Sequence, residues 1–311
     1  MLERACTFRA MNTDVTLAIV CESARAGLAD SALHTIQRTF ELAETTLSRF
    51  LSDSELSQLN RAHGQPFRAS SILFNVVADA VSAARMTDGW FDPTILGALI
   101  SAGYDRSFEL IREGVSAPAR GYTSVGAWRK IRMTEQASTI TLPSNCGLDL
   151  GGIGKGWTVD QAVRSLRDFP SFAIDAGGDM YLGGQQVDGS PWTVGIEDPT
   201  CPERNILVLV VRDRAVATSS VTHRRWKVDE QTNHHLIDPH TGRPSDNGIL
   251  SATVVSNSVA RAEVLAKVAL LRGPEKGVEF LNDQPDAEGI LISRNGQIER
   301  SVGFPEVTNA A

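Results

Sequence analysis

The sequence predicts an α+β fold. Two observations carry that prediction. Runs with the two-residue alternation of half-buried strands and runs with the three-to-four-residue period of helices occur along the same chain. Several strand-like runs, among them "WTVGIEDP", "ILVLVVRD" and "AVATSS", follow one another with no helix between them, which a strictly alternating βα order would not give. No linker, repeat or low-complexity tract divides the 311 residues.

Taken in order, "TDVTLAIV" reads as a strand with Val15, Leu17 and Ile19 alternating. A helix is expected over Ala29 to Leu47, with Leu33, Ile36, Phe40 and Leu47 on one side. The serines of "SDSELSQLN" can cap a short helix. A further helix should run from Ser71 to Thr87 and end at Gly89. "FDPTILGALISAGYD" follows as a loop and short helix, and 112–127, rich in Gly, Ser and Pro, reads as a loop or insertion. Strands are expected at Lys130–Met133 and Thr139–Leu142. "LDLGGIGKGWTVDQAVRSL" is a glycine-rich turn feeding a helix that starts near Lys155, and "FAIDAGGDMYLGG" is a strand followed by a turn. "HHLIDPHTGRP" reads as a loop, "LSATVVS" as a strand leading into the helical "ARAEVLAKVALLRG", and "GILIS" as a late strand.

Composition narrows the function classes. Hydrophobic content of 42% and charged content of 22% are ordinary for a globular protein. A formal net charge of −7, with no basic run, disfavours a nucleic-acid partner. Cys6, Cys21, Cys146 and Cys201 form no CxxC pair or metal-ligand spacing and read as reduced thiols. The N-terminal stretch has no apolar segment behind a basic start, and no apolar run is long enough to insert in a membrane. These features give a cytoplasmic expectation.

Four segments could carry chemistry. In "DLGGIGKG", Gly151, Gly152, Gly154 and Gly156 leave room for backbone N–H groups to approach an anion at a helix start, with Lys155 as a point charge; a tight strand-to-helix turn is the alternative. "DAGGD", ending at Asp179, is either a ligand-facing turn or an acidic hairpin end. "HHLIDPHTGRP" has turn chemistry, and its spacing fits no common structural zinc site; a histidine against a phosphate or in proton transfer suits it better. "WFDPT" offers an aromatic pair and a carboxylate to a flat ring, or a core aromatic before an Asp-Pro turn.

Taken together, these stretches resemble the FAD:protein FMN transferase (ApbE-type) family. The matching segments, in order, are "MNT" at 11–13, "LSRFLSDSELSQLN" at 47–60, "DGWFDPT" at 88–94, "LDLGGIGKGWTVD" at 148–160, "IDAGGD", "ATSS", "HLIDPHTGRP" and "AEVLAKVALLRG". The resemblance implies one domain over residues 1–311, built of two interleaved α/β lobes with mixed, largely antiparallel sheets and a ligand cleft between them. It implies a magnesium-assisted reaction in which FMN passes from FAD to a threonine of an acceptor protein through a phosphoester, with AMP released. A flavin carrier without transferase activity, or an FAD pyrophosphatase, would use the same site.

Position by position, the resemblance assigns FAD contacts to Met11, Phe50, Trp90, Phe91, Asp92, Asp149, Lys155, Asp179 and Leu236. It assigns a backbone metal contact to Gly152. His235 is the candidate for proton handling. Where the family has an aspartate and, four residues on, a threonine that bind magnesium, this chain has Glu263 and Lys267. Glutamate can bind a hard cation, but an ammonium has three donors and no acceptor. Three readings follow for the pair. Lys267 takes the place of the metal beside Lys155 in catalysis, or magnesium binds nearby with more water, or the chain holds FAD without transferring it.

Overall fold

The computed structural model describes residues 1–111, 125–228, 231–305 and 307–309. It divides into two compact units: residues 1–42, 155–220 and 248–311 form the first, and residues 43–154 and 221–247 the second. The mixture of helices and antiparallel sheets is the α+β content that the pattern predicts.

The first unit is organised by one sheet of eight strands. They are Leu2–Ala10 (β1), Thr13–Cys21 (β2), Ser171–Ala176 (β3), Met180–Gly183 (β4), Arg214–Ser220 (β5), Ile249–Ser256 (β6), Ala287–Ser293 (β7) and Ile298–Arg300 (β8). Their spatial order is their chain order, and every neighbouring pair is antiparallel. All eight residues of β6 are buried, as expected of a strand covered on both faces. On one face Val216, Val255, Ile290 and Ile292 join Leu182 in a core with Val194, Ile196, Leu207 and Leu209. The last four come from strands Trp192–Asp198 and Cys201–Val211, which pair with Val307–Asn309 in a separate small sheet.

The other face carries helices Val259–Arg272 (α6) and Pro274–Asn282 (α7). Gly289 on β7 shows why: a Cβ there would come 2.7 Å from Leu281 of α7 and 3.0 Å from Val254 of β6. The all-round apolar pattern of α6 is matched by its burial, with ten of its fourteen residues, Glu263 among them, withdrawn from solvent. Helix Ala26–Leu47 (α1) starts three residues earlier than its pattern suggested, and its Phe40 packs edge-on against Phe8 of β1.

The second unit contains the short helix Glu55–Asn60 (α2), Ser71–Met86 (α3) and Leu96–Ser101 (α4), with a small sheet of Phe67–Arg68, Arg132–Thr134 and Thr139–Thr141. Ser54 and Ser70 cap α2 and α3 by accepting the N–H groups of Ser57 and Leu73, as the serine pattern predicted for α2. Gly89, at φ 83°, lies just beyond the end of α3. The strand expected from Lys130 begins at Arg132 because residues 127–130 make a 3-10 turn. Of the expected loop at 112–127, residues 112–124 lie outside the described residues. The core of this unit gathers Leu99, Ala102, Tyr104, Trp226 and Ile237, with Phe50 against it. Trp226 Nε1 and Asn233 Nδ2 both donate to the carbonyl of Ala102, which binds the hairpin of Arg225–Val228 and Gln231–His234 to the end of α4. The segment read as a plain loop at 234–244 contains a two-residue pairing of Ile237–Asp238 with Arg243–Pro244.

Candidate active site

In the first unit, the helix after the glycine-rich turn, Gly154–Ser165 (α5), begins where the sequence placed it. Gly156 is there because α6 runs against it: a Cβ at this position would sit 2.7 Å from both the Cα and the N of Ala260. That close approach brings Glu263 to the start of α5, where its Oε2 accepts the Gly156 N–H at 2.9 Å. Its Oε1 lies 3.8 Å from Lys155 Nζ. Lys155 Nζ also donates to Asp179 Oδ2. One ammonium is therefore held between two carboxylates that meet at the first turn of α5, although Asp179 lies 24 residues from Lys155 in sequence and Glu263 lies 107 residues from Gly156.

Asp179 reaches this position through the "DAGGD" turn. Gly177 and Gly178 have φ of 67° and 90°, the left-handed region that favours glycine. Asp175 Oδ1 accepts the Gly178 N–H at 2.8 Å and Asp179 O accepts the Ala176 N–H at 3.0 Å, closing the turn. A Cβ on Gly177 would collide with the side chain of Thr13, so this turn lies beside the β1–β2 hairpin. Met11 and Asn12 form the tip of that hairpin with φ of 51° and 61°. Two successive positive φ values give a tight hairpin turn, and for methionine that conformation is uncommon.

The charges in this cluster differ in access to solvent. The side chains of Asp179 and Glu263 are 3% and 7% exposed, and that of Lys155 is 16% exposed. Lys267 lies four residues beyond Glu263 on the same face of α6 and is half-buried. The carboxylates are thus drawn inward and the ammonium groups are the more accessible members. As a donor set for a hard divalent cation, these residues are a poor match. Both Glu263 oxygens already face N–H groups, Lys267 offers no lone pair, and Lys155 places a positive charge beside the carboxylates. Gly152 is a buried residue of the second unit, ahead of α5.

A second cluster is built within the second unit. Arg49 Nε donates to Asp149 Oδ2 at 2.5 Å, and the two side chains are 6% and 13% exposed. Asp149 Oδ1 accepts the Gly151 N–H at 2.9 Å, and its own N–H donates to Pro93 O. The guanidinium lies over Phe50 and Tyr104, 4.2 and 4.6 Å from the ring centroids. Tyr104 in turn packs edge-on against His235, at 6.5 Å between centroids. Burial pushes the Tyr104 hydroxyl above its ordinary pKa.

The remaining expected residues divide between openness and internal duty. Asp92 is buried, and both its oxygens serve the protein: Oδ1 accepts from Thr94 N and Oγ1, and Oδ2 from Gly126 N. Phe91 is buried, its N–H donating to Thr87 Oγ1. Trp90 is half-buried and meets the ring of His240 at 4.4 Å between centroids, tilted by 52°. Leu236 is buried and its N–H donates to Nδ1 of His234, whose Nε2 meets Ser245 O. His234 therefore orders the turn, while His235 faces the aromatic cluster. Sequence reasoning missed Arg49 and Tyr104. Arg49 stood inside a matching segment, but nothing local points from it to Asp149, one hundred residues away.

Residues 11–291 match the model of the ApbE family. The chain is 31% identical over 264 residues to the FAD:protein FMN transferase of Vibrio cholerae, covering 81% of this chain and 77% of that protein. It is 31% identical over 241 residues to the FAD:protein FMN transferase of Chlamydia trachomatis, covering 74% and 72%. In structure it resembles the ApbE protein of Thermotoga maritima, with a TM-score of 0.85 and 24% identity over 97% of this chain and 98% of that one. The flavin transferase ApbE from Vibrio cholerae gives a TM-score of 0.81 with the same identity and coverage. The chain belongs to the ApbE family.

Proposed function

We propose that this chain transfers FMN from FAD to a threonine hydroxyl of an acceptor protein and releases AMP. Membership of the ApbE family and the chain's similarity to FAD:protein FMN transferases support the reading. The observation that carries it is the Lys155 ammonium, held at the start of α5 by Asp179 and Glu263. A fixed cation at a helix N-terminus suits a phosphate-bearing ligand.

The acceptor oxygen attacks the phosphorus on the FMN side of the diphosphate. The bond from that phosphorus to the bridging oxygen breaks, and AMP departs with the bridging oxygen. The proton of the attacking hydroxyl passes to His235 or to a carboxylate. Lys155 meets the charge that grows on the leaving phosphate, where a preplaced cation is most effective. Met11, Phe50, Trp90, Phe91, Asp92, Asp149 and Leu236 contribute the remaining FAD contacts, and Arg49 joins them by ordering Phe50 and Asp149.

Incubation of the purified protein with FAD and a candidate acceptor tests this. Fluorescent acceptor on a denaturing gel, with AMP in equal amount, is the expected result. AMP without labelled acceptor would identify a pyrophosphatase, and unaltered bound FAD a carrier; either would overturn the transferase reading.

A further inference from the structure

We infer that this chain supplies the cations facing the ligand's phosphates from its own side chains, Lys155 and Lys267, and takes up no divalent metal there. The inference rests on the flavin-nucleotide reading above and concerns what neutralises the diphosphate.

Three observations carry it. First, the carboxylates are already engaged. Glu263 Oε2 accepts the Gly156 N–H at 2.9 Å, its Oε1 faces Lys155 at 3.8 Å, and Asp179 accepts from the same ammonium. A metal ion reaching either carboxylate would meet Lys155 first, and like charges at such distances repel strongly in a partly buried setting. Second, the exposure runs the wrong way for a cation site. The acids are 3% and 7% exposed while Lys155 is 16% exposed, so the cluster turns its positive members outward. Third, Lys267 follows Glu263 by one turn of α6, on the face of a helix whose other flanks are buried apolar residues. An ammonium there can donate to a phosphate oxygen and cannot ligate a metal.

In this arrangement Glu263 is a positioning residue. It fixes the first turn of α5 through Gly156 and holds Lys155 in place, and the two lysines touch the phosphates. As the acceptor oxygen attacks and negative charge collects on the departing AMP phosphate, the ammonium groups meet it without a bound ion.

The test is binding as well as turnover. Wild-type protein is titrated with FAD by quenching of flavin fluorescence, once in excess EDTA and once in magnesium, and with manganese alone by electron paramagnetic resonance. The expected FAD affinities agree within about twofold, and manganese binds without stoichiometry. Lys267→Met lowers FAD affinity about tenfold or more in both buffers, the size of one lost charge-assisted contact. Lys267→Gln replaces it if the methionine variant does not fold. The double variant Lys267→Thr/Glu263→Asp gains one manganese site and a metal-dependent FAD affinity. Glu263→Gln, which keeps an acceptor for Gly156, retains more FAD affinity than Glu263→Ala.

One manganese per wild-type chain, an FAD affinity that collapses in EDTA and returns with magnesium, or unchanged affinity in both Lys267 variants would overturn the inference. Absence of FAD binding by the wild type in either buffer would instead sink the flavin reading on which it rests.

Discussion

Asp160 and Glu263 cap each other's helices. Asp160, on α5, accepts the N–H groups of Val259 and Ala260 at the start of α6, at 2.8 and 3.1 Å. Glu263, on α6, accepts the N–H of Gly156 at the start of α5. Each helix lends a carboxylate to the other's positive end, so the two N-termini are fixed as one object. Lys155 sits on that object, and its placement inherits the rigidity of both helices.

The Asp160 carboxyl has a raised pKa, because burial outweighs the N–H bonds from Val259 and Ala260. The native state therefore keeps a proton that the unfolded chain gives up near 3.8, and the contribution of this group to stability falls as pH rises from that value through the folded pKa. Asp160→Asn cannot ionise. Its deficit in melting temperature relative to wild type should shrink as pH is raised from about 4 toward neutrality. Melting curves across that range check the sign, and a deficit that widens with pH would contradict it.

Gly156→Ala should destabilise the protein by about 1–3 kcal/mol, because the new methyl meets the Ala260 backbone and the helices must part. Gly27→Ala, in α1 with nothing within 4 Å of its Cβ, is the matched control and should be neutral or slightly stabilising. Urea midpoints for the two variants give the comparison. Gly156→Ala should also weaken FAD binding, since Lys155 moves with the first turn of α5.

Arg49→Met leaves the part-buried Asp149 without its guanidinium and should cost about 1–3 kcal/mol. Removing both charges in Arg49→Met/Asp149→Asn should recover much of that loss. A double-mutant cycle in denaturant measures the interaction, and additive losses would show that the pair is not held as described.

Burial pushes the Cys146 thiol up to about 12, whereas Cys201 is exposed. At pH 8 a thiol reagent such as DTNB should modify Cys201 first and leave Cys146 and the buried Cys21 until unfolding. The unfolded Cys146 ionises near 9.0, so between that value and about 12 unfolding releases its proton and stability falls with rising pH. Cys146→Ala should lessen that alkaline loss, which melting curves above pH 9 would reveal.

Local pattern made much of the fold legible. The serine before α2, the glycine beyond α3 and the all-round apolar run of α6 each specify structure within a few residues. Helix α7 carried signals too, a proline at its first position and the helical spacing of Gly277, Phe280 and Leu281 on its buried side. The strand Arg225–Val228 alternates over four residues only, too few to read from sequence, and it and Gln231–His234 are placed by the Ala102 carbonyl that Trp226 and Asn233 share. In the candidate site, Lys155 stood out by its glycine-rich surroundings and Glu263 by its apolar ones. Their meeting did not, because no spacing rule joins residues that come together only when α5 packs on α6. The same limit hid Arg49, whose partner is set by tertiary structure alone.

The strict chain-order arrangement of the eight-stranded sheet has a consequence for synthesis. The β1–β2 hairpin emerges from the ribosome early, yet the strand that covers the open edge of β2 begins only at Ser171. Until then β2 offers a long edge of unpaired N–H and C=O groups, a template for pairing with other nascent chains. Yield in the cell should therefore depend on how fast elongation reaches Ala176, and a pause placed before that point should favour aggregation.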